Sequence, residues 1–246
     1  MTATYDYTGR TVLVTGGTRG LGAGIARAFA EAGADVLVCG RTPPPAAGPG
    51  LRFVRADVRD PEDVERLFAG LDRLDVVVNN AGGSPHAPLE GTSGRLHARV
   101  IELNLTAPLL VSQRAHPLLA ASGGTVLMIG SSSGTRPSPG TSAYGAAKAG
   151  LHHLARCLAA EWAPAVRVNT VVVGLAETEN AADHYAGKNR ELGATIPAGR
   201  MATPADVAET CLWLAAAPRY VTGAQVHVDG GGEMPAWRYL VSNEIS

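Results

Sequence analysis

Short, almost wholly apolar runs recur along the chain, and amphipathic stretches separate them. The apolar runs have the length of buried strands and cover residues 11–15, 35–40, 52–56, 75–80, 124–130, 166–173 and 224–230. The stretches between them place apolar residues three or four positions apart, which predicts helices over 21–32, 61–71, 93–121, 143–163 and 204–217.

Strands that are apolar along their whole length are typical of a parallel sheet covered by helices on both faces. The pattern therefore predicts an α/β fold with a doubly wound, parallel, seven-stranded sheet of Rossmann-like type, in a single domain over residues 1–246. Right-handed crossovers place the carboxyl ends of all parallel strands along one edge, where we expect a ligand to bind.

The composition of the 246 residues excludes several classes of protein. Hydrophobic residues make up 46% and charged residues 17%, which excludes disorder. A net charge of −1 without a basic run argues against a nucleic-acid partner. The three cysteines are too scattered to predict a disulfide framework or a metal site. Since no apolar run has membrane-spanning length and the first ten residues lack a secretory signal, we expect a cytoplasmic protein.

A glycine-rich turn, TGGTRGLG at residues 15–22, joins the first strand to the first helix. Its glycines permit a tight turn and a close approach of a pyrophosphate to the backbone. The start of the following helix supplies free N–H groups for the same anion. We therefore predict an NAD(P)-binding site with contacts from Gly16, Thr18, Arg19, Gly20, Leu21 and Gly22.

The end of the second strand indicates which dinucleotide binds. An acid there would hold the free ribose 2′-hydroxyl of NAD, but the strand ends in Arg41 without an acid. The guanidinium of Arg41, together with Arg19, suits a 2′-phosphate and favours NADPH/NADP+. The alternative is that both arginines are solvated surface residues. Asp57 and Val58, after the third strand, are placed to contact the adenine, although Asp57 could equally cap the next helix.

Tyr144 and Lys148 stand four residues apart near the start of a predicted helix, so they share one face of it. A tyrosine at its ordinary pKa of about 10 is a poor acid or base at neutral pH. A neighbouring ammonium favours the phenolate and lowers that pKa, which would let Tyr144 exchange a proton with a carbonyl or alcohol oxygen. The alternative from spacing alone is a core tyrosine beside a lysine that reaches towards solvent.

Four motifs occur together and in order: the glycine turn, the sequence NNAG at 79–82, a serine thirteen residues before Tyr144, and the Tyr144–Lys148 pair. With these motifs, residues 10 to 232 resemble the single-domain short-chain dehydrogenase/reductase family. The chain looks most similar to its 3-oxoacyl-carrier-protein reductase-like members. One departure is Val173-Gly174, where the family usually has Pro-Gly, so the loop beside the nicotinamide is less constrained.

The resemblance implies a role for each residue of these motifs. Tyr144 would be the general acid in reduction and the base in oxidation, and Lys148 would lower its pKa and hold the nicotinamide ribose. Ser131 would hydrogen-bond the substrate oxygen, and Asn104 would hold a water that links Lys148 to solvent. Asn80 would brace the sheet. The family also implies cofactor contacts from Asn79, Ala81, Gly82, Tyr144, Lys148, Gly174 and Thr178.

These inferences give the hypothesis of an NADPH-dependent ketoreductase that acts, without a metal, on a small-molecule carbonyl substrate, including thioester- or carrier-bound 3-oxoacyl groups. One alternative is an alcohol dehydrogenase that works oxidatively with NAD(P)+. Another, from a different class, is a non-catalytic dinucleotide sensor. The family resemblance also implies a homotetramer or a homodimer.

Three further expectations concern the surroundings of the site. The long segment over residues 175–200 mixes polar and apolar residues and is expected to form a lid over the substrate, with Tyr185 as a contact. His86 is a weaker candidate for the substrate pocket, since a solvated loop position is the simpler interpretation. One of His152 and His153 is expected to face a partner subunit.

Overall fold

The structure, a computed structural model, describes residues 4–44, 50–179, 185, 187–216 and 219–234. The predicted lid lies partly outside these ranges, because residues 180–184 and 186 do. What is described of this segment includes Tyr185 and a short helix over Asn189–Ala194.

Seven strands form one sheet in which all neighbouring strands run parallel, so the predicted fold class is confirmed. The strands are β1 (Thr11–Thr15), β2 (Asp35–Gly40), β3 (Leu51–Arg55), β4 (Val76–Asn79), β5 (Thr125–Ser131), β6 (Arg167–Val173) and β7 (Gln225–Val228). Their order is β3-β2-β1-β4-β5-β6-β7, so the direction of winding reverses between β1 and β4. In doubly wound sheets the ligand crevice lies at this switch point, beyond the carboxyl ends of the strands.

Helices cover both faces of the sheet. Within the described residues they are α1 (Gly20–Glu31), α2 (Pro61–Phe68), α3 (Gly94–Ile101), α4 (Ala107–Ser122), α5 (Ser142–Trp162), α6 (Asn189–Ala194) and α7 (Pro204–Ala216). Side chains of β1 point alternately to the two faces of the sheet, so they pack in two different cores. Leu13 packs in a core with α2, α4 and α5, whereas Val12 and Val14 pack in a second core with α1 and α7. None of these helices is long and apolar enough to span a membrane.

The helix predicted as continuous over residues 93–121 contains one wider turn. A π-helical turn, Glu102–Thr106, separates α3 from α4. Inside this turn the Asn104 side-chain amide donates to the carbonyl oxygen of Val100 at 2.9 Å, where a regular helix would use a backbone N–H. Single π-helical turns occur frequently at functional sites, and this one lies beside the site described below.

β5 extends beyond its neighbour on one side. β4 pairs with it only as far as Asn79 opposite Met128, whereas β6 continues to Val173 opposite Ser131. The last residues of β5 therefore have a strand partner on one side only. Their remaining backbone groups must find hydrogen bonds outside the sheet.

All three cysteines are free thiols, and two of them are buried. Cys39 in β2 and Cys211 in α7 are fully buried, and they belong to the opposite cores of the sheet. Burial raises the pKa of both thiols to about 12. Cys157, on α5, is half-buried.

Candidate active site

A cleft of about 710 Å³ lies at the carboxyl edge of the sheet. Tyr185 from the predicted lid lines it, whereas Asn79 and Asn104 are not among its lining residues. Within the described ranges, no cluster of His, Cys, Asp and Glu is placed to hold a metal ion. The cleft brings together the other predicted site residues, which are Gly16, Thr18, Arg19, Gly20, Leu21, Gly22, Arg41, Asp57, Val58, Ala81, Gly82, Ser131, Tyr144, Lys148, Gly174 and Thr178.

The glycine turn closes tightly against the end of β4. Gly16 has a φ of +63°, a conformation that side chains disfavour, and a Cβ on Gly22 would lie 2.3 Å from the Gly16 carbonyl oxygen. The Asn80 side-chain amide donates to the carbonyl oxygens of Thr15 at 2.9 Å and Gly16 at 3.1 Å. Asn80 thus fixes the turn to the sheet, and the glycines leave the backbone open towards the cleft.

The first amide of α1 already binds a carboxylate. Gly20 N donates to Oε2 of Glu179 at 2.9 Å, and Glu179 belongs to the segment that follows β6. Thr178 packs beside it, with Cγ2 3.5 Å from the position of a Cβ on Gly20. The amide is therefore accessible from the cleft and directed at an anion, which is what a bound pyrophosphate requires. Sequence reasoning missed Glu179, because nothing in the local pattern distinguishes it from a solvated acid.

The predicted adenine end of the cleft holds three charged side chains. Arg41 is exposed at the end of β2 and lines the cleft together with Asp57 and Arg59. Arg59 Nε donates to Oδ1 of Asp57 at 2.9 Å, and this hydrogen bond holds the pKa of the Asp57 carboxyl below its usual range. Asp57 does not cap α2; Asp60 does, by accepting from Glu62 N at 2.9 Å. Sequence reasoning did not identify Arg59, which stands two residues after a predicted site residue.

The structure corrects the cofactor contact predicted for Asn79. Its side chain is buried in the core, where Nδ2 donates to the Ser112 hydroxyl of α4 at 2.8 Å. Successive residues of a strand point to opposite faces, and the residue whose amide lies beside the glycine turn is Asn80. Of the NNAG motif, Asn80, Ala81 and Gly82 line the cleft and Asn79 does not.

Ser131, Tyr144 and Lys148 meet where β5 ends. Burial raises the pKa of Tyr144, and a hydrogen bond with the Ser131 hydroxyl partly opposes this shift. Lys148 is buried and donates from Nζ to the Ile129 carbonyl oxygen at 2.7 Å, while Nζ lies 5.6 Å from the centre of the Tyr144 ring. Burial lowers the pKa of Lys148 to about 8. The predicted lowering of the Tyr144 pKa is therefore not found, because burial of the phenol raises this pKa.

Asn104 lies behind the cleft rather than in it. It is fully buried, and its side chain pairs with the backbone of Gly83, accepting from N and donating to O, both at 2.9 Å. A Cβ on Gly82 would lie 2.6 Å from Asn104 Oδ1 and 3.4 Å from Lys148 Nζ. The π-helical turn therefore positions the loop that passes beside the ammonium group.

Two further expectations concern residues near the cleft. Val173, in place of the usual proline, is the buried last residue of β6, and Gly174 N donates to the Val228 carbonyl oxygen at 3.1 Å. The adjacent sheet therefore holds this backbone without a proline ring. His86 lies against Gly140, where a Cβ would come within 2.2 Å of its ring, and it is not a lining residue of the cleft.

The sequence model of a family described as enoyl-(acyl carrier protein) reductase matches residues 16–233. An uncharacterized oxidoreductase of Mycobacterium tuberculosis is 37% identical, over 92% of this chain and 93% of that protein. The 3-oxoacyl-[acyl-carrier-protein] reductase of Chlamydia trachomatis is 33% identical, over 90% of this chain and 96% of that protein. The solved structure of the aldohexose dehydrogenase of Thermoplasma acidophilum has a TM-score of 0.88 at 28% identity, covering 93% of this chain and 96% of that one.

The doubly wound sheet and the glycine turn at its switch point define an α/β oxidoreductase that uses a nicotinamide dinucleotide. The family match extends over most of the chain, and the relatives align over nearly their whole length. The chain belongs to the short-chain dehydrogenase/reductase family. The resemblance inferred from the four sequence motifs is thereby confirmed.

Proposed function

We propose that this oxidoreductase uses NADPH to reduce a ketone, with 3-oxoacyl thioesters among its substrates. One observation carries the proposal: Ser131, Tyr144 and Lys148 line the same cleft as the glycine turn. A dinucleotide held by the turn would extend along the cleft towards these three side chains. The 3-oxoacyl reductase of Chlamydia trachomatis supports this class of substrate.

The proposed chemistry acts on the carbonyl oxygen through residues of this chain. The nicotinamide, when bound, would supply hydride to the carbonyl carbon. The Ser131 hydroxyl would hydrogen-bond the carbonyl oxygen, and Tyr144 would give that oxygen its phenol proton. Because burial raises the pKa of Tyr144, the phenol keeps this proton until the substrate oxygen becomes basic.

Lys148 would serve both the cofactor and the phenol. One of its three N–H donors goes to Ile129, so two donors are available for the hydroxyls of the nicotinamide ribose. With its pKa lowered to about 8 by burial, the amine is still protonated near neutral pH. Its charge would stabilise the phenolate that proton transfer leaves on Tyr144.

The proposed preference for NADPH rests on the charges at the far part of the cleft. Arg41 follows β2 with no acidic residue at the end of that strand, and Arg19 stands exposed in the glycine turn. Both line the cleft, and each guanidinium can donate two parallel hydrogen bonds to a 2′-phosphate. The bidentate partner of Asp57 is Arg59, which leaves Arg41 for the phosphate.

The substitution Tyr144→Phe tests the proposed chemistry. It removes the proton donor and keeps the ring, so we expect turnover to fall by about a hundredfold or more while the affinity for NADPH is unchanged. Turnover is measured as the loss of NADPH absorbance over a panel of ketones and 3-oxoacyl thioesters, and affinity by fluorescence titration. Tyr220→Phe, at a fully exposed ring, is the matched control.

Retained turnover in Tyr144→Phe would overturn the proposed mechanism. NADPH binding by the wild-type chain without turnover of any carbonyl would instead support a dinucleotide sensor. The aldohexose dehydrogenase neighbour favours a second candidate, the oxidation of a cyclic alcohol or sugar. Formation of NADPH or NADH from a sugar panel at alkaline pH, faster than any ketone reduction, would establish that alternative. The lid and the homotetramer or homodimer stay predictions.

A further inference from the structure

His152 continues the face of α5 that carries Tyr144 and Lys148. The three residues follow one another at intervals of four, so their side chains lie in one row along the helix. His152 is 3% exposed, and its ring is directed at the sheet rather than at solvent. His153 is exposed, so the prediction that one of the two adjacent histidines faces a partner subunit can concern His153 alone and stays a prediction.

All three side chains of this row bond to the last residues of β5. Tyr144 contacts the Ser131 hydroxyl, and Lys148 donates to the Ile129 carbonyl oxygen at 2.7 Å. The Ser131 backbone N–H donates to Nε2 of His152 at 3.3 Å. These backbone groups belong to the part of β5 that has no β4 neighbour, so side chains of α5 replace the missing strand.

The chain leaves room for the His152 ring at two glycines. A Cβ on Gly130 would lie 2.4 Å from Nε2, and a Cβ on Gly134 would lie 2.8 Å from Cε1. Neither distance is compatible with a side chain at those positions. The ring is therefore enclosed on both sides, and Nε2 is held at the Ser131 amide.

The imidazole must be neutral to accept this hydrogen bond. Burial lowers the pKa of His152 to about 4, and the nearby positive charge of Lys148 adds to the effect. At neutral pH the ring therefore presents Nε2 as an acceptor and carries its proton on Nδ1. A histidine in this state is a fixed acceptor and not a switch.

We propose that His152 is a positioning residue, which holds the backbone of Ser131 so that the Ser131 hydroxyl points at the phenol of Tyr144 and at the substrate oxygen. The proposal rests on the ketoreductase function stated above, because that function gives Ser131 and Tyr144 their roles. Without an acceptor, the N–H of the half-buried Ser131 would lose its partner in His152, and the end of β5 would shift to find another. The serine hydroxyl would move with it.

Three substitutions separate this role from packing. His152→Leu removes the acceptor at similar bulk, and His152→Gln restores an acceptor oxygen near the position of Nε2. His153→Leu makes the same change at the exposed neighbour and is the matched control. If His152→Leu does not fold, His152→Asn takes its place, because its shorter side chain cannot reach the Ser131 amide.

Two readouts are measured on each variant. We expect His152→Leu to lower kcat by about tenfold while the Kd for NADPH is unchanged, since the change affects only the serine. We also expect the pKa of the Tyr144 phenol to be higher than in the wild type, because the hydrogen bond with Ser131, which lowers this pKa, is lost. The titration is followed by phenolate absorbance, as the difference from Tyr144→Phe. His152→Gln should restore both values, and His153→Leu should leave both unchanged.

An unchanged Tyr144 titration in His152→Leu overturns the proposal, even if the thermal unfolding midpoint falls, because that result shows a packing role alone. Failure of His152→Gln to restore the titration overturns it as well. The titration needs neither substrate nor cofactor. Retained turnover in Tyr144→Phe would therefore overturn the proposed role of Tyr144, and absence of carbonyl turnover in the wild type would overturn the ketoreductase function, but neither result decides whether His152 positions Ser131.

Discussion

At the scale of single residues, burial acts on Tyr144 and Lys148 in opposite directions. It raises the pKa of the phenol and lowers that of the amine to about 8, because each charged form is disfavoured away from water. An unfolded lysine has a pKa of about 10.4, so at neutral pH the fold must hold an ammonium ion that would be more stable in solvent. The group proposed to assist catalysis therefore destabilises the folded chain.

Lys148→Met tests this conflict between stability and activity. We expect the free energy of unfolding to rise by about 1–2 kcal/mol near pH 7 while turnover is lost, since the charge penalty disappears but the Ile129 carbonyl loses its donor. Folding lowers the pKa of Lys148 from about 10.4 to about 8. Above the unfolded pKa the amine is neutral in both states and the fold carries no charge penalty, whereas the penalty grows as pH falls and is complete once pH has fallen through about 8. The advantage of the variant should therefore shrink as pH rises from 8 towards 10. Urea unfolding at both ends of this range measures it.

Lys188→Met is the control for that experiment, because Lys188 is exposed. The chain has no other lysines, so the pair covers every ammonium side chain in the sequence. A variant at position 148 that is less stable than the wild type near pH 7 would show that the hydrogen bond to Ile129 outweighs the burial of the charge.

Sequence reasoning located the site residues better than it assigned what each of them contacts. The spacing of Tyr144 and Lys148 indicated a shared helix face, and the other motifs of the family resemblance were needed to choose them as the candidate pair. The cofactor contact predicted for Asn79 does not fit its side chain, which is buried in the core and bonds to Ser112. Arg59 and Glu179 were missed because their partners lie on other segments or depend on side-chain conformation.

At the scale of helices and strands, the hydrophobic pattern predicted all seven strands within one or two residues of their observed ends. Parallel strands are buried on both faces, so their apolar runs are distinct from the amphipathic helices. The π-helical turn Glu102–Thr106 could not be predicted in this way. It depends on a hydrogen bond of the Asn104 side chain to a carbonyl of its own helix, and apolar spacing does not report that bond.

The first amide of α1 leads to a prediction about cofactor affinity. Glu179 occupies Gly20 N, and its negative charge would repel a pyrophosphate at the same helix end. We expect Glu179→Gln to lower the Kd for NADP+ by about threefold to tenfold. The neutral side chain of Gln binds Gly20 N more weakly than a carboxylate does, so the pyrophosphate displaces it more easily. Isothermal titration calorimetry measures the Kd, with Glu177→Gln, at an exposed acid two residues earlier, as the control. A weaker or unchanged affinity in Glu179→Gln would contradict this account.

At the scale of the whole molecule, one sheet carries both the predicted adenine end of the cleft and the end that holds Ser131, Tyr144 and Lys148. The segments that line the cleft follow β1, β2, β3, β4, β5 and β6, so a bound dinucleotide would contact loops from most of the sheet. A ligand that binds only the folded chain stabilises all of it by mass action. The preference between two cofactors should therefore be visible in global unfolding.

We expect NADP+ to raise the Tm more than NAD+ at equal concentration, because only NADP+ carries the 2′-phosphate that Arg41 and Arg19 can bind. Arg41→Gln should weaken NADP+ binding by about tenfold and remove most of this difference, with little effect on NAD+. Arg27→Gln, at an exposed arginine of α1, is the control. An equal or larger shift with NAD+ in the wild-type chain would refute the proposed cofactor preference. Differential scanning fluorimetry measures the Tm of each of the three chains with each cofactor, which makes six combinations.

The two buried thiols also provide a way to follow motions of the fold. Cys39 lies in the core packed by α2, α4 and α5 and lines the cofactor cleft, whereas Cys211 lies in the core packed by α1 and α7. A thiol reagent in solution reaches the half-buried Cys157 directly, but it reaches the other two only when their layer opens. The labelling rates at Cys39 and Cys211 therefore measure, separately, how often the core on each side of the sheet opens. They distinguish a brief opening beside the cleft from a loss of the whole fold.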